Sequence, residues 1–210
     1  MIRRFAPAFT PWRGAAVTAM FATGGLLLSA GAWIPVKAEV AQYLLNRAWA
    51  ATQDGAERVR PWPWADTWPI ARLHLPTADE PLVVLAGASA RNLAFGPVHL
   101  EGSAEPGTAG VSIIAGHRDT HFAALRELHP GDRLYVESAN GGVAAYVVTA
   151  VDVVDAERAT LRTQTDESVL ALVTCWPFDA VTPGGPMRYV VTAAREAEMP
   201  RPELVARAGG

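Results

Sequence analysis

Cys175 closes an apolar run, Ser168-Val-Leu-Ala-Leu-Val-Thr-Cys175, immediately before the loop-forming pair Trp176-Pro177. It is the only cysteine in 210 residues, so no intrachain disulfide accounts for it. Two other segments carry groups that complement a thiol: His117 in Ala115-Gly-His-Arg-Asp-Thr-His-Phe122, and Arg188 in Met187-Arg-Tyr-Val-Val191. A thiol attacks an acyl carbon as thiolate, an imidazole holds or delivers a proton, and a guanidinium steadies the tetrahedral oxyanion. Together they are the parts of acyl transfer through a thioester. Arginine suits the third role because its charge does not titrate away and its planar fork can also position a carbonyl.

Each of these residues has a plainer reading. A lone cysteine at a strand end is often a small buried hydrophobe. His117 could cap or brace a turn, with His121 and then His99 as rivals for its role. Arg188 could pair a surface carboxylate, the ordinary fate of a strand arginine. Asp119 could orient His117, but its place ahead of a helical piece favours a cap. Thr174 and Trp176 flank Cys175 and shape either its pocket or the core behind it.

The elements that must position this set are short apolar strands separated by turns: 70–75, 82–86, 111–115, 133–137, 143–154, 169–175 and 188–193. Such spacing predicts an all-β, closed or nearly closed barrel. Two helical pieces interrupt it, Ser89 to Phe95 with Ser89 as amino-terminal cap, and His121 to Leu128 ending at His129-Pro130-Gly131. If the strands ending at Cys175 and starting at Arg188 pair antiparallel, the two residues share a rim. His117 also follows a strand, 111–115, so one rim could hold all three.

Composition narrows the function. A chain that is 50% hydrophobic and 19% charged has material for one globular domain and an extra segment. The formal net charge of -3 supplies no basic stripe to neutralise phosphates, which argues against a nucleic-acid partner. No carboxylate cluster suggests a metal, and the chemistry above requires no cofactor.

Six of the seven tryptophans lie in the first 68 residues, which sets the amino-terminal third apart. Residues 14–36 carry no charge, and about 20 apolar residues in a helix span a bilayer. Arg3, Arg4 and Arg13 precede the run, and Trp12 and Trp33 mark its ends, as expected of a transmembrane anchor with a cytoplasmic amino terminus. Ala30-Gly31-Ala32 also has the small-x-small form of a signal-peptide cleavage site. A buried helix is a third reading, weakened by four glycines. From Lys37 to Arg60 the spacing is helical, with Val36, Val40, Tyr43, Leu44 and Ala48 on one face. Pro61-Trp-Pro-Trp-Ala-Asp-Thr-Trp-Pro69 is a stiff connector whose indoles pack on the domain or sit near headgroups.

At Gly87-Ala-Ser89, Gly96-Pro-Val-His99, Gly102-Ser103, Pro106-Gly107, Ala115 to Phe122, Leu125, Leu128, Gly131-Asp132, Leu172-Val-Thr-Cys175 and Arg188, the sequence resembles the sortases, membrane-anchored cysteine transpeptidases. The resemblance covers residues 68–194. It implies an eight-stranded β-barrel with short helices, preceded by an N-terminal transmembrane helix. The implied layout is a cytoplasmic N-terminus over 1–13, an anchor over 14–36 and a connector over 37–67. The barrel then occupies 68–195 and a flexible tail 196–210. It further implies His117, Cys175 and Arg188 as catalytic residues, and Thr174 and Trp176, on either side of the cysteine, are the candidate substrate-binding residues.

The implied reaction cleaves an LPXTG-like carboxy-terminal sorting signal between threonine and glycine and passes the acyl group to an amine acceptor. The barrel would work on the extracytoplasmic side of the bacterial inner membrane. The anchor, tryptophan-rich connector and Gly96-Pro-Val-His-Leu100 look most like the Gram-negative, marine proteobacterial group. Ala171-Leu-Val-Thr174 departs from the Thr-Leu-x-Thr of many relatives, and the calcium-site carboxylates of some sortases are not evident. A cysteine hydrolase that delivers the acyl group to water and a silent peptide-binding barrel are the alternatives.

Overall fold

The computed structural model describes residues 11–160, 164–182 and 184–196. The expected cytoplasmic segment lies outside the described residues up to residue 10, as does the expected tail beyond Glu196. The chain divides into two units, Met1–Tyr43 and Leu44–Gly210.

The first unit is helical throughout its described part, within helix α1 (Pro11–Gln53), which passes through Pro35 without ending. Trp12, Phe21, Leu26, Leu27 and Trp33 are exposed along it. The expected transmembrane helix over 14–36 is not borne out: no helix of the described residues is long and apolar enough to cross a membrane.

The second unit is a closed eight-stranded barrel. Its strands are β1 (Pro69–His74), β2 (Leu82–Ala86), β3 (Val98–His99), β4 (Gly110–Ala115), β5 (Arg133–Ser138), β6 (Val143–Asp155), β7 (Ser168–Cys175) and β8 (Met187–Arg195). They close in the order β1-β2-β3-β4-β7-β8-β6-β5. The pairs β2–β3 and β4–β7 are parallel, and the others are antiparallel. Seven strands match the apolar runs of the sequence. β3 has two residues, too few to make an alternation, and escaped the sequence reading.

Side-chain alternation decides what faces the barrel interior. On β7, Leu170 and Leu172 enter the core with Tyr189, Val191 and Ala193 of β8. Val169, Ala171 and Val173 point outward and pack with Val111 and Ile113 of β4. Cys175, next in that alternation, is on the outward face at the strand's end.

The last turns of α1 belong to the barrel unit. Leu45, Ala48, Trp49 and Thr52 are buried, a face of i, i+3, i+4, i+7 spacing. The expected face of Val36, Val40, Tyr43, Leu44 and Ala48 is corrected: Val36, Val40 and Tyr43 are exposed, because the buried stripe starts a residue later and serves only the helix end. Leu45 and Trp49 cover the outward residues Val83, Leu85 and Val98. Gly55, with φ of +93°, sits just past the end of the helix that was expected to run to Arg60. Trp49 is 2% exposed, so Trp49→Ala is expected to cost about 3–5 kcal/mol in a chemical-denaturation curve.

Of the connector's indoles, Trp62 packs edge-on to Phe95 with centroids 4.8 Å apart, whereas Trp64 is 81% exposed. Helix α2 is short, Ala90–Leu93, and Ser89 caps it as expected, its Oγ accepting from the Asn92 N–H at 3.2 Å. The second helical piece is a 3-10 helix, Ala123–Glu127.

Candidate active site

Register brings the three candidate residues to one rim. Cys175 and Arg188 are antiparallel Cα partners, so their side chains leave the same face of the sheet roughly 5 Å apart at Cβ. β4 runs parallel to β7 with Ala115 opposite Val173. His117 and Cys175 each lie two residues beyond that pair, on neighbouring strand exits. His117 is exposed, and Cys175 and Arg188 are half-buried.

The strand exits are tied together. The Gly116 N–H donates to the Val173 carbonyl at 3.1 Å, and the Thr174 hydroxyl donates to the Gly116 carbonyl at 2.8 Å. Thr174 is 2% exposed, with its hydroxyl committed to the backbone that leads into His117. After His117 the chain folds back, because Phe122 N–H donates to the His117 carbonyl at 3.0 Å. That turn drives the Phe122 ring into the core and close over Gly116.

A Cβ on Gly116 would stand 2.7 Å from the ring, and Phe122 is fully buried. Gly116→Ala is therefore expected to destabilise the protein by about 1–3 kcal/mol. A thermal melt checks the loss.

Trp176 follows Cys175 and lies against the end of the core. Its ring stacks on Tyr189 at 5.6 Å and meets Phe178 edge-on at 5.7 Å. The Trp176 backbone N–H donates to the Met187 carbonyl at 3.1 Å, extending the pairing one step past Cys175. Arg188 Nη1 donates to the carbonyls of Gly185 at 2.7 Å and Met187 at 2.9 Å. The guanidinium is thus held by its own loop through Nη1, and among the described residues Nε and Nη2 make no hydrogen bond.

The rivals are placed elsewhere. His99 is buried, its Nε2 2.8 Å from the Ala104 carbonyl and 3.0 Å from Ser103 Oγ, bracing the β3–β4 connection. His121 is half-buried with Nδ1 3.2 Å from Thr120 Oγ1. Burial, and then the charge of His117, pushes the His121 pKa down, which favours its neutral form.

Asp119 does not cap the 3-10 helix, whose preceding residue, Phe122, makes no side-chain cap bond. Its carboxylate is gripped by Arg118, with Nε to Oδ1 at 2.8 Å and Nη2 to Oδ2 at 3.1 Å. That bond, then the charges of Arg118 and His117, hold the Asp119 pKa below the usual carboxylate value against partial desolvation. Arg118 is the group the sequence reading missed. It is 6% exposed and reaches across to the loop after Cys175. Its position beside His117 was visible, but a buried arginine has no local signature.

The assembled rim presents a thiol, an exposed imidazole and a guanidinium on adjacent strand exits, above a row of outward apolar side chains. Such a rim can attack an acyl carbon, protonate a leaving amine and hold an oxyanion.

The sortase domain family model matches residues 73–196. The chain is 32% identical over 124 residues to sortase D of Bacillus subtilis (strain 168), covering 59% of this chain and 62% of that relative's length. It is similar in structure to sortase A of Corynebacterium diphtheriae, with TM-score 0.58 and 30% identity over 70% of this chain and 69% of that one. It shares the fold of Clostridium perfringens sortase C, solved with the C-terminal cell wall sorting motif, at TM-score 0.56 and 21% identity over 77% of this chain and 90% of that one. With the family match covering more than half of its 210 residues, the chain belongs to the sortase family.

Proposed function

We propose that this sortase is a cysteine transpeptidase that cleaves an LPXTG-like carboxy-terminal sorting signal between threonine and glycine and transfers the acyl group to an amine. The observation that carries the reading is the register that sets Cys175 opposite Arg188, with His117 on the adjoining strand exit. The sorting motif solved with the C. perfringens enzyme supports the substrate class.

The Cys175 thiolate attacks the threonine carbonyl carbon, and the resulting oxyanion is met by the Arg188 guanidinium. The intermediate collapses as the C–N bond breaks, and His117 gives its proton to the departing glycine amine. The acyl group then rests on Cys175 as a thioester. An amine attacks that thioester, His117 takes the amine's proton, and Cys175 leaves as thiolate. Thr174 keeps the two strand exits together, and the half-buried Trp176 ring lies beside the entry to the β7–β8 loop.

Intact-mass measurement of the full chain in detergent, incubated with an LPXTG-like peptide with and without a glycine peptide, tests this. The expected result is an acyl adduct on Cys175 that becomes a new amide when amine is added. Release only as free acid overturns transpeptidation in favour of a hydrolase. No adduct across a panel of related peptides overturns the substrate class.

The proposal extends to place and subgroup. Exposed apolar side chains along α1, with Arg3 and Arg4 ahead of it and Arg13 in its first turn, support a barrel held at the extracytoplasmic side of the bacterial inner membrane. Carbonate-resistant recovery in membranes, with the barrel digested by protease added to spheroplasts, is the expected fractionation. Recovery in the soluble cytoplasm would overturn it. The amino-terminal segments and Gly96-Pro-Val-His-Leu100 support placement in the Gram-negative group, where the acceptor would be an amine other than a Gram-positive cross-bridge.

A further inference from the structure

Buried arginines are paired, and Arg118 is paired to excess. Its guanidinium grips both oxygens of Asp119, 67% exposed, and sends its remaining reach inward. Nη1 donates to the Pro177 carbonyl, and Nη2 donates to the Ala180 carbonyl at 2.9 Å. Both acceptors lie in the loop between β7 and β8.

The positions of these bonds are informative. His117 is flanked by Gly116 and Arg118, while Cys175 is flanked by Thr174 and, across Trp176, by Pro177. Before the two reactive residues, Gly116 bonds to Val173 and Thr174. Beyond them, Arg118 bonds to Pro177 and Ala180. The two strand exits are therefore stitched on both sides of the imidazole and the thiol.

We propose that Arg118 is the positioning residue of this site, a clamp that fixes the loop bearing His117 against the loop that follows Cys175. The inference rests on the transpeptidase reading for its rate effect, and on geometry alone for the clamp. Only a planar fork with several donors serves a carboxylate and two carbonyls at once, so lysine is a poor substitute. The bond to Asp119 is the main cause that holds Arg118 charged, ahead of the opposing burial, and charge on Asp119, Cys175 and Asp179 adds to it. The clamp thus also sets a permanent positive charge beside the thiol.

Three full-length proteins test this: wild type, Arg118→Lys and Arg118→Met. Two readouts apply, kcat and KM on a sorting peptide and the pH profile of Cys175 alkylation by iodoacetamide. The surrounding charged groups, His117, His121, Asp119, Asp179 and Arg188, are the same in all three. Arg118→Met is expected to lower kcat about 100-fold, the cost of a small misplacement of reacting groups, with KM within about threefold. It should also move the alkylation profile to higher pH. Arg118→Lys is expected to restore the alkylation profile but not kcat.

Turnover of Arg118→Met within twofold of wild type overturns the clamp, and so does a rise in KM at unchanged kcat. Failure of both variants to fold, judged by circular dichroism, overturns it in favour of a purely structural arginine. A wild type that alkylates but releases the acyl group only as free acid when amine is present disproves the transpeptidase reading separately. The alkylation profile of Arg118→Met then decides alone: unchanged, it overturns the clamp, and displaced, it upholds it.

Discussion

Cys175→Ala is expected to abolish the thioacyl adduct and to lower turnover by at least about 10⁴-fold, the scale on which loss of a covalent nucleophile reduces an enzyme to its binding and oxyanion contributions. The argument is chemical, since neither the imidazole nor the guanidinium beside it can form a thioester. The fold should not notice the change. Cys175 is half-buried at the outer end of β7, so removing its sulfur deletes few core contacts, and the unfolding free energy should stay within about 1 kcal/mol of wild type. Because Cys175 is the only cysteine, thiol titration gives one equivalent for the wild type and none for the variant, which verifies the sample independently of activity. Full activity in Cys175→Ala would remove the thioester route altogether.

The rim was legible in the sequence because strand ends are. The apolar runs 111–115 and 169–175 end where loop residues begin, and closure of a barrel brings strand ends together. The antiparallel pairing that sets Cys175 opposite Arg188 followed from two successive strands and a connecting loop. Three features were not legible. β3, with two residues, falls below the length at which alternation has meaning. The helix end that covers Val83, Leu85 and Val98 is shifted from the expected face, because periodicity alone does not say which part of a long helix finds a partner. Arg118 reaches residues 59 and 62 positions away, and only the closed barrel makes them neighbours.

The same long-range geometry separates two histidines that the sequence leaves as rivals. His117 is exposed on the strand exit level with Cys175, whereas His121 lies four residues on, half-buried, against Thr120 Oγ1 at 3.2 Å. Burial pushes the pKa of His121 down, and a charge on His117 pushes it further, which disfavours the protonated form of His121. In the proposed reaction the leaving amine takes its proton from an imidazole at the rim, and His117 is the one level with Cys175. His117→Ala is therefore expected to lower kcat by about 10²–10⁴-fold, the usual worth of a positioned acid–base group. His121→Asn keeps a polar side chain beside Thr120 and should leave kcat within about threefold, the range of a residue that does not touch the reacting atoms. Steady-state kinetics on both variants decides the assignment. If the large loss falls on His121, the proton donor comes from the buried side of the turn, and the exposed imidazole at the strand exit is a bystander.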